Sequence, residues 1–199
     1  MSRWEPNARE RLSQAALDLF VENGYEGTTV AEIAERAGLT KRTFFRYYAD
    51  KREVLFGGQE MMRRLLIGGI TSAPDSATPL EALAVALDAV ASAFPQERLE
   101  VVRQRQAIIG RHTDLQEREL LKSATLTAAM AEGLQQRGMR EPTVSLAAEL
   151  GTLAFRMTFA RWVDATDDRK FADVARETLA ELENATATLG GTTNPAATS

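Results

Sequence analysis

Apolar residues recur along nearly the whole chain at the spacing of one helix face. Leu12, Ala15, Ala16, Leu19 and Phe20 stand at i, i+3, i+4, i+7 and i+8, which predicts a helix from Pro6 to Asn23, stopped by Gly24. Thr29 precedes Val30, Ile33, Ala34 and Ala37 at the same spacing, with Glu32 three residues on, so a short second helix carries a reciprocal cap at its start. Gly38 can turn left-handed after Ala37, and Thr40 can cap a third helix running through Tyr48. Asp50 and Glu53 repeat the capping signature and predict a fourth helix to about Thr71, ended by the breaker run from Ser72 to Pro79. Leu80, Leu83, Ala84, Leu87, Val90, Ala91 and Phe94 keep one face until Pro95. Further helices are predicted from Gln96 to about Gly110, Asp114 to Arg137, Pro142 to Ala165 and Asp168 to about Leu189. No alternating strand pattern appears, and the predicted fold class is all-α.

This order predicts three parts: a helix-turn-helix head over residues 1–52, a helical body over 53–189, and a small, polar, disordered tail over 190–199. Composition narrows what they can do. With no cysteine and one histidine in 199 residues, thiol nucleophiles, disulfides and thiolate metal sites are excluded. No phosphate-cradling glycine loop, paired metal-binding histidines or nucleophile elbow is present, so no catalytic residue, metal or cofactor is expected. The first residues lack an apolar signal core and no window is long and apolar enough to span a bilayer, so the expected location is cytoplasmic.

The net charge of -4 gives no general attraction for nucleic acid, and any such binding must come from a local patch. One exists. From Lys41 to Arg52 the chain holds Lys41, Arg42, Arg46, Lys51 and Arg52 against Asp50 alone, interleaved with aromatics. On a helix, Phe44 and Tyr48 share the face that can seal against Leu12, Ala16, Phe20 and Ile33, leaving Lys41, Arg42, Phe45, Arg46 and Tyr47 outward or at the margin. A basic ridge on a helix behind a tight turn fits the major groove of duplex DNA.

The run Gly24-Tyr25-Glu26-Gly27-Thr28-Thr29-Val30, then Ile33 to Thr40, then Thr43-Phe44-Phe45-Arg46-Tyr47-Tyr48 with Lys51, resembles the tetracycline-repressor-like (TetR) regulators. The resemblance covers roughly Ala8 to Leu55. It implies that Thr29, Thr40, Thr43, Tyr47 and Lys51 touch phosphates and that Lys41, Arg42 and Phe45 face bases or backbone, with Arg46 on the same ridge. Arg42 stands where such proteins often have Gly, and Phe45 where Tyr is common. The family's habit is repression by a dimer on a palindromic operator, released by a small molecule; an activator, or a dimeric regulator with no ligand, would carry the same residues.

Beyond Leu55 the residues must speak for themselves. The segment from Pro142 to Ala165 is apolar on nearly every side, which suits a helix with the body's core on one side and a second subunit on the other. Gly57, Gly58, Gly68 and Gly69 in the fourth helix suit either a hinge or close helix packing. Arg98, Arg105 and His112 at intervals of seven, beside Val102, Ile108 and Ile109, predict an apolar cavity with a cationic mouth. An anionic amphiphile such as a fatty acyl thioester would suit it. The Phe44-Phe45-Arg46-Tyr47 pattern and the C-terminal layout look like the mycofactocin-regulator branch of the same family, which implies a similar ligand. The ligand candidates are Arg105, His112, Met130, Arg156 and Phe159. Set beside that role are a structural His112, an Arg156 paired with Glu149 or across an interface, and core positions for Met130 and Phe159.

Overall fold

The computed structural model describes residues 7–190. Among them the chain is helical throughout: α1 over Ala8–Asn23, α2 over Val30–Arg36, α3 over Lys41–Tyr47, a 3-10 turn over Arg52–Phe56, α4 over Gln59–Ser72 and α5 over Pro79–Ala91, then a second 3-10 turn over Gln96–Arg98, α6 over Leu99–Ile109, α7 over Thr113–Gln136, α8 over Thr143–Asp164 and α9 over Phe171–Gly190. The all-α expectation holds. The expected disordered tail lies, apart from Gly190, outside the described residues.

The fourth helix begins later than its sequence signature suggests. The Asp50 carboxylate accepts from the N–H groups of Arg52 (2.8 Å) and Glu53 (3.1 Å), as a capping residue should, yet the turn it starts is 3-10 and ends at Phe56. Gly57 is extended, with φ -62° and ψ 162°, and Gly58 has a φ of +87°, which a residue with a side chain rarely adopts. Both glycines therefore lie in a break before α4, and only Gly68 and Gly69 are inside a helix.

Packing divides the chain into two units, Met1–Glu60 with Arg98–Ser123, and Met61–Glu97 with Ala124–Ser199. In the first, Leu12, Ala16, Phe20, Ile33, Phe44 and Tyr48 share one core with Ile108, Ile109 and Leu115. Ile108 and Ile109, two of the apolar residues expected beside Arg105, are thus part of this core. In the second unit α5, α8 and α9 pack on one another, burying Leu83, Leu87, Val90, Trp162, Phe171 and Val174 completely or nearly so. Arg137 closes the end of α4, its guanidinium donating to the carbonyls of Ala73 (2.6 Å) and Pro74 (2.5 Å).

The two helical glycines separate the readings left open for them. A Cβ on Gly69 would lie 2.5 Å from Ala86 Cα, so Gly69 is the price of bringing α4 and α5 together. A Cβ on Gly68 would meet nothing within 4 Å. Gly69→Ala should therefore lower stability by about 1–3 kcal/mol through overpacking, while Gly68→Ala should raise it by up to about 1 kcal/mol through helix propensity. Urea denaturation of both variants checks the pair, and equal shifts would contradict the packing described.

Candidate nucleic-acid interface

The surface begins with how α2 ends. Gly38, at φ +65°, donates its N–H to Glu35 O (2.8 Å), and Leu39 donates to Ala34 O (2.8 Å), the paired bonds of a Schellman stop. The Arg11 guanidinium bonds Ala37 O, and a Cβ on Gly38 would sit 2.7 Å from Arg11 Nη2. Thr40 then caps α3, its hydroxyl accepting from Thr43 N–H at 3.1 Å. Only Leu39 and Thr40 follow the left-handed residue before α3 starts, which fixes the angle between the two helices.

At the start of α2 the reciprocal cap forms as predicted: Thr29 Oγ1 accepts from Glu32 N–H (3.3 Å), and Glu32 Oε2 accepts from Thr29 N–H (2.7 Å). The bonds from the Thr29 hydroxyl and N–H hold the Glu32 carboxyl below its usual range. The loop before it is tied down by Thr28, whose hydroxyl bonds Gly24 O (2.8 Å) and Leu19 O (3.2 Å).

On α3, Phe44 is 0 % exposed, and just past its end Tyr48 bonds Ser13 through its hydroxyl (2.8 Å). The other side presents Lys41, Arg42, Phe45 and Arg46, all exposed, with Thr43 and Tyr47 half-buried beside them. Phe45 is 56 % exposed, so the ridge carries an apolar ring among its cations. Arg46 lies over the Tyr47 ring at 4.9 Å and bonds its hydroxyl at 3.2 Å, so this cation is held along the ridge.

Lys51, for which the resemblance implies a phosphate contact, is engaged within the head. Its ammonium donates to Tyr25 O (2.7 Å), Thr28 O (3.1 Å) and Glu26 O (3.4 Å) and sits 4.4 Å above the Tyr25 ring. An ammonium has three donors, and all three serve the loop that carries Thr29. Arg52 is likewise engaged by Asp50 at 2.8 Å. Burial raises the Asp50 carboxyl, but the Arg52 guanidinium and the Arg52 and Glu53 N–H groups outweigh it and hold it below its ordinary value. Arg36 forms a two-pronged pair with Glu22. The uncompensated positive charge of this surface is therefore concentrated on Lys41, Arg42 and Arg46.

The five ligand candidates are divided between the two units. Arg105 and His112 fall in the first unit, Met130, Arg156 and Phe159 in the second. Arg105 donates to Leu55 O (2.6 Å) and lies 3.4 Å from Glu119, with its guanidinium over Phe56; burial lowers its pKa from the ordinary value. His112 lies beyond the end of α6, its ring tilted at 53° to that of Tyr25 with centroids 4.9 Å apart, and 3.8 Å from the Glu26 carboxylate. Met130 is buried, Arg156 is exposed and Phe159 is half-buried. A groove of about 310 Å³ in the second unit, lined by Ala124, Thr127, Ala128, Ala131, Ser145, Ala148 and Glu149, contains none of the five. Missed by sequence reasoning were the Arg118 and Lys122 contacts to Glu53, at 2.6 and 3.4 Å. Their separation along the chain leaves no periodic signal.

Among the described residues no cluster of metal-binding side chains occurs and no helix is long and apolar enough to cross a membrane.

Residues 12–56 match the family described as bacterial regulatory proteins, tetR family. Over 94 residues the chain is 36% identical to the HTH-type transcriptional regulator TcmR of Streptomyces glaucescens, covering 47% of this chain and 42% of that protein. Over 46 residues it is 41% identical to MftR of Mycobacterium tuberculosis, a proposed mycofactocin biosynthesis transcriptional regulator, covering 23% of each. The matches thus span less than half the length of these curated relatives. The fold resembles that of the transcriptional regulator FadR from Bacillus subtilis, solved in complex with stearoyl-CoA, with a TM-score of 0.55, 24% identity and coverage of 87% of this chain and 96% of that one.

Removing the Lys51 ammonium leaves three loop carbonyls without their shared donor. Lys51→Met should lower the stability of the protein by about 1–3 kcal/mol in urea denaturation, with no DNA present. An unchanged midpoint would leave Lys51 with the phosphate contact implied by resemblance.

Proposed function

From the match of residues 12–56 to the tetR family of bacterial regulatory proteins, we propose that the chain is a cytoplasmic repressor that binds a palindromic operator as a homodimer and is released by a small-molecule effector. Its relatives are transcriptional regulators and not enzymes. The observation that carries the DNA reading is the helix α3 itself: a fully buried Phe44 on one side and exposed Lys41, Arg42, Phe45 and Arg46 on the other. Arg42 is suited to pair both acceptors of a guanine, Lys41 and Arg46 to neutralise phosphates, and the Thr29, Thr40, Thr43 and Tyr47 hydroxyls to bond phosphate oxygens. Lys51 acts through the loop it holds.

Dimerisation rests on α8. Its buried side is built from small residues and Trp162, while Leu146, Leu150, Leu153, Met157 and Ala160 follow one another at intervals of four and three. That is the spacing of a helix–helix seam. Leu146 is 65% and Leu153 38% exposed, which favours a second copy as their cover. Such symmetry would present two copies of α3 to half-sites about 34–36 Å apart.

An effector is supported by the likeness to a regulator solved with stearoyl-CoA, and a long-chain acyl thioester is one candidate. Arg105 and His112 do not favour it, because each is already held by neighbouring groups.

Gel shifts on the DNA flanking the protein's own gene test the DNA reading. Arg42→Ala should cost about 1–3 kcal/mol on the operator and relax preference at one base position, whereas Lys41→Ala should weaken all duplexes and reduce the salt slope by about 1. Identical, salt-insensitive losses would contradict it. For the dimer, Leu146→Glu combined with Leu153→Glu should yield a folded monomer by sedimentation, with operator affinity lost. A variant that stays dimeric would move the interface elsewhere.

A further inference from the structure

Four threonines are the buried polar residues among those described: Thr28, Thr152, Thr158 and Thr178. Three are satisfied. Thr28 bonds Gly24 O (2.8 Å), Thr152 bonds Ala148 O (3.0 Å), and Thr178 accepts from Arg161 Nη1 (3.2 Å). Thr158 has no partner, although its hydroxyl could reach back one turn as that of Thr152 does. One turn further along α8, the Trp162 Nε1–H is also buried without an acceptor. Two donors four residues apart share a helix face, and buried donors left unpaired are rare enough to need a reason.

Their surroundings suggest the reason. Phe94, Phe155, Phe159, Trp162 and Phe171 form one aromatic group. Phe94 stacks on Phe171 at 4.6 Å and 18°, and meets Phe159 at 5.6 Å and Trp162 at 5.7 Å. Trp162 and Phe171 close the inner side at 0% and 1% exposure, while Phe94, Phe155 and Phe159 are half-buried and form the outer edge. No member of the group is charged. Of the two α8 arginines beside the group, Arg161 is engaged by Thr178 and by Glu181 at 2.6 Å, and Arg156, next to Phe155, is exposed.

We propose that this aromatic group is the effector site, and that it takes an uncharged, flat aromatic molecule bearing a carbonyl or similar acceptor. The ring system enters at the Phe94, Phe155 and Phe159 edge and extends the existing stack. The acceptor receives the Trp162 Nε1–H and the Thr158 hydroxyl. The aromatic lining carries no charge of its own, so the site discriminates by shape and by one acceptor. This inference rests on the effector-responsive reading above and names its ligand class.

Trp4 and Trp162 are the two tryptophans of the chain, so the full-length Trp4→Phe protein reports Trp162 fluorescence alone. Titrated with 9-fluorenone, it should show saturable quenching. Fluorene, with the same rings and no carbonyl, should bind at least tenfold more weakly. Thr158→Val should weaken fluorenone at least tenfold and leave fluorene unchanged, and Thr158→Ser should restore the difference. Equal affinity for the two probes, an unaffected Thr158→Val variant, no saturable quenching, or saturation by palmitoyl-CoA alone each overturns the proposal. Gel shifts without any probe run in parallel: operator binding with no fluorenone response sinks the site and spares the regulator, whereas failure to bind any duplex sinks the regulator while the fluorescence still decides the site.

Discussion

A seven-residue helix such as α3 makes too few hydrogen bonds to offset the cost of its own nucleation, so it exists only where one of its faces is buried. Phe44 provides that burial. Its ring, flanked by Tyr48 at 5.5 Å, belongs to the same core as Leu12, Phe20 and Ile33. Every polar feature of the recognition surface follows from this anchoring. With Phe44 inward, the helical repeat turns Lys41, Arg42 and Arg46 outward without any further device. The Gly38 stop and the Thr40 cap set where the helix begins, and Phe44 sets which way it faces.

The head was largely legible in the sequence because its determinants are local. Thr29 with Glu32, Gly38 after Ala37, and Thr40 before Lys41 each act within about four residues, and the helix repeat gives the buried face directly. Reading failed where the deciding contact lies far along the chain. Arg105 and His112 were expected on one face of one helix, but α6 ends at Ile109, and His112 leaves that face to meet Tyr25, 87 residues earlier in the numbering. Lys51 was expected to touch phosphate. Its partners are carbonyl oxygens, which every residue carries and which give no side-chain signal of a binding place. The fourth helix was misjudged for another reason: Asp50 and Glu53 form the expected start, but a cap does not determine how far a helix runs, and the left-handed Gly58 interrupts it.

In the second unit the same periodicity identified the helices without saying which side of each is covered. α8 shows why. Both its faces are apolar, but the small residues Ala147, Ala148, Gly151 and Ala154 are inside and Leu146 is outside. Close approach selects small side chains: Gly151 has Leu83 and Met130 where a Cβ would need 2.6–2.7 Å. Hydrophobicity alone would have placed the leucines in the core.

The internal engagement of Lys51, Arg52 and Arg36 shapes how such a surface would meet DNA. Their charges are balanced or absorbed within the head, and the chain as a whole is acidic. A duplex therefore meets repulsion from most approaches and attraction along one narrow strip. Few counterions are displaced when that strip lands on arbitrary sequence, so each chance landing is brief. On the proposed dimeric reading, residence would depend on whether both halves of an assembled pair find matching half-sites together, which would make geometry, rather than charge, the arbiter of where the protein stays.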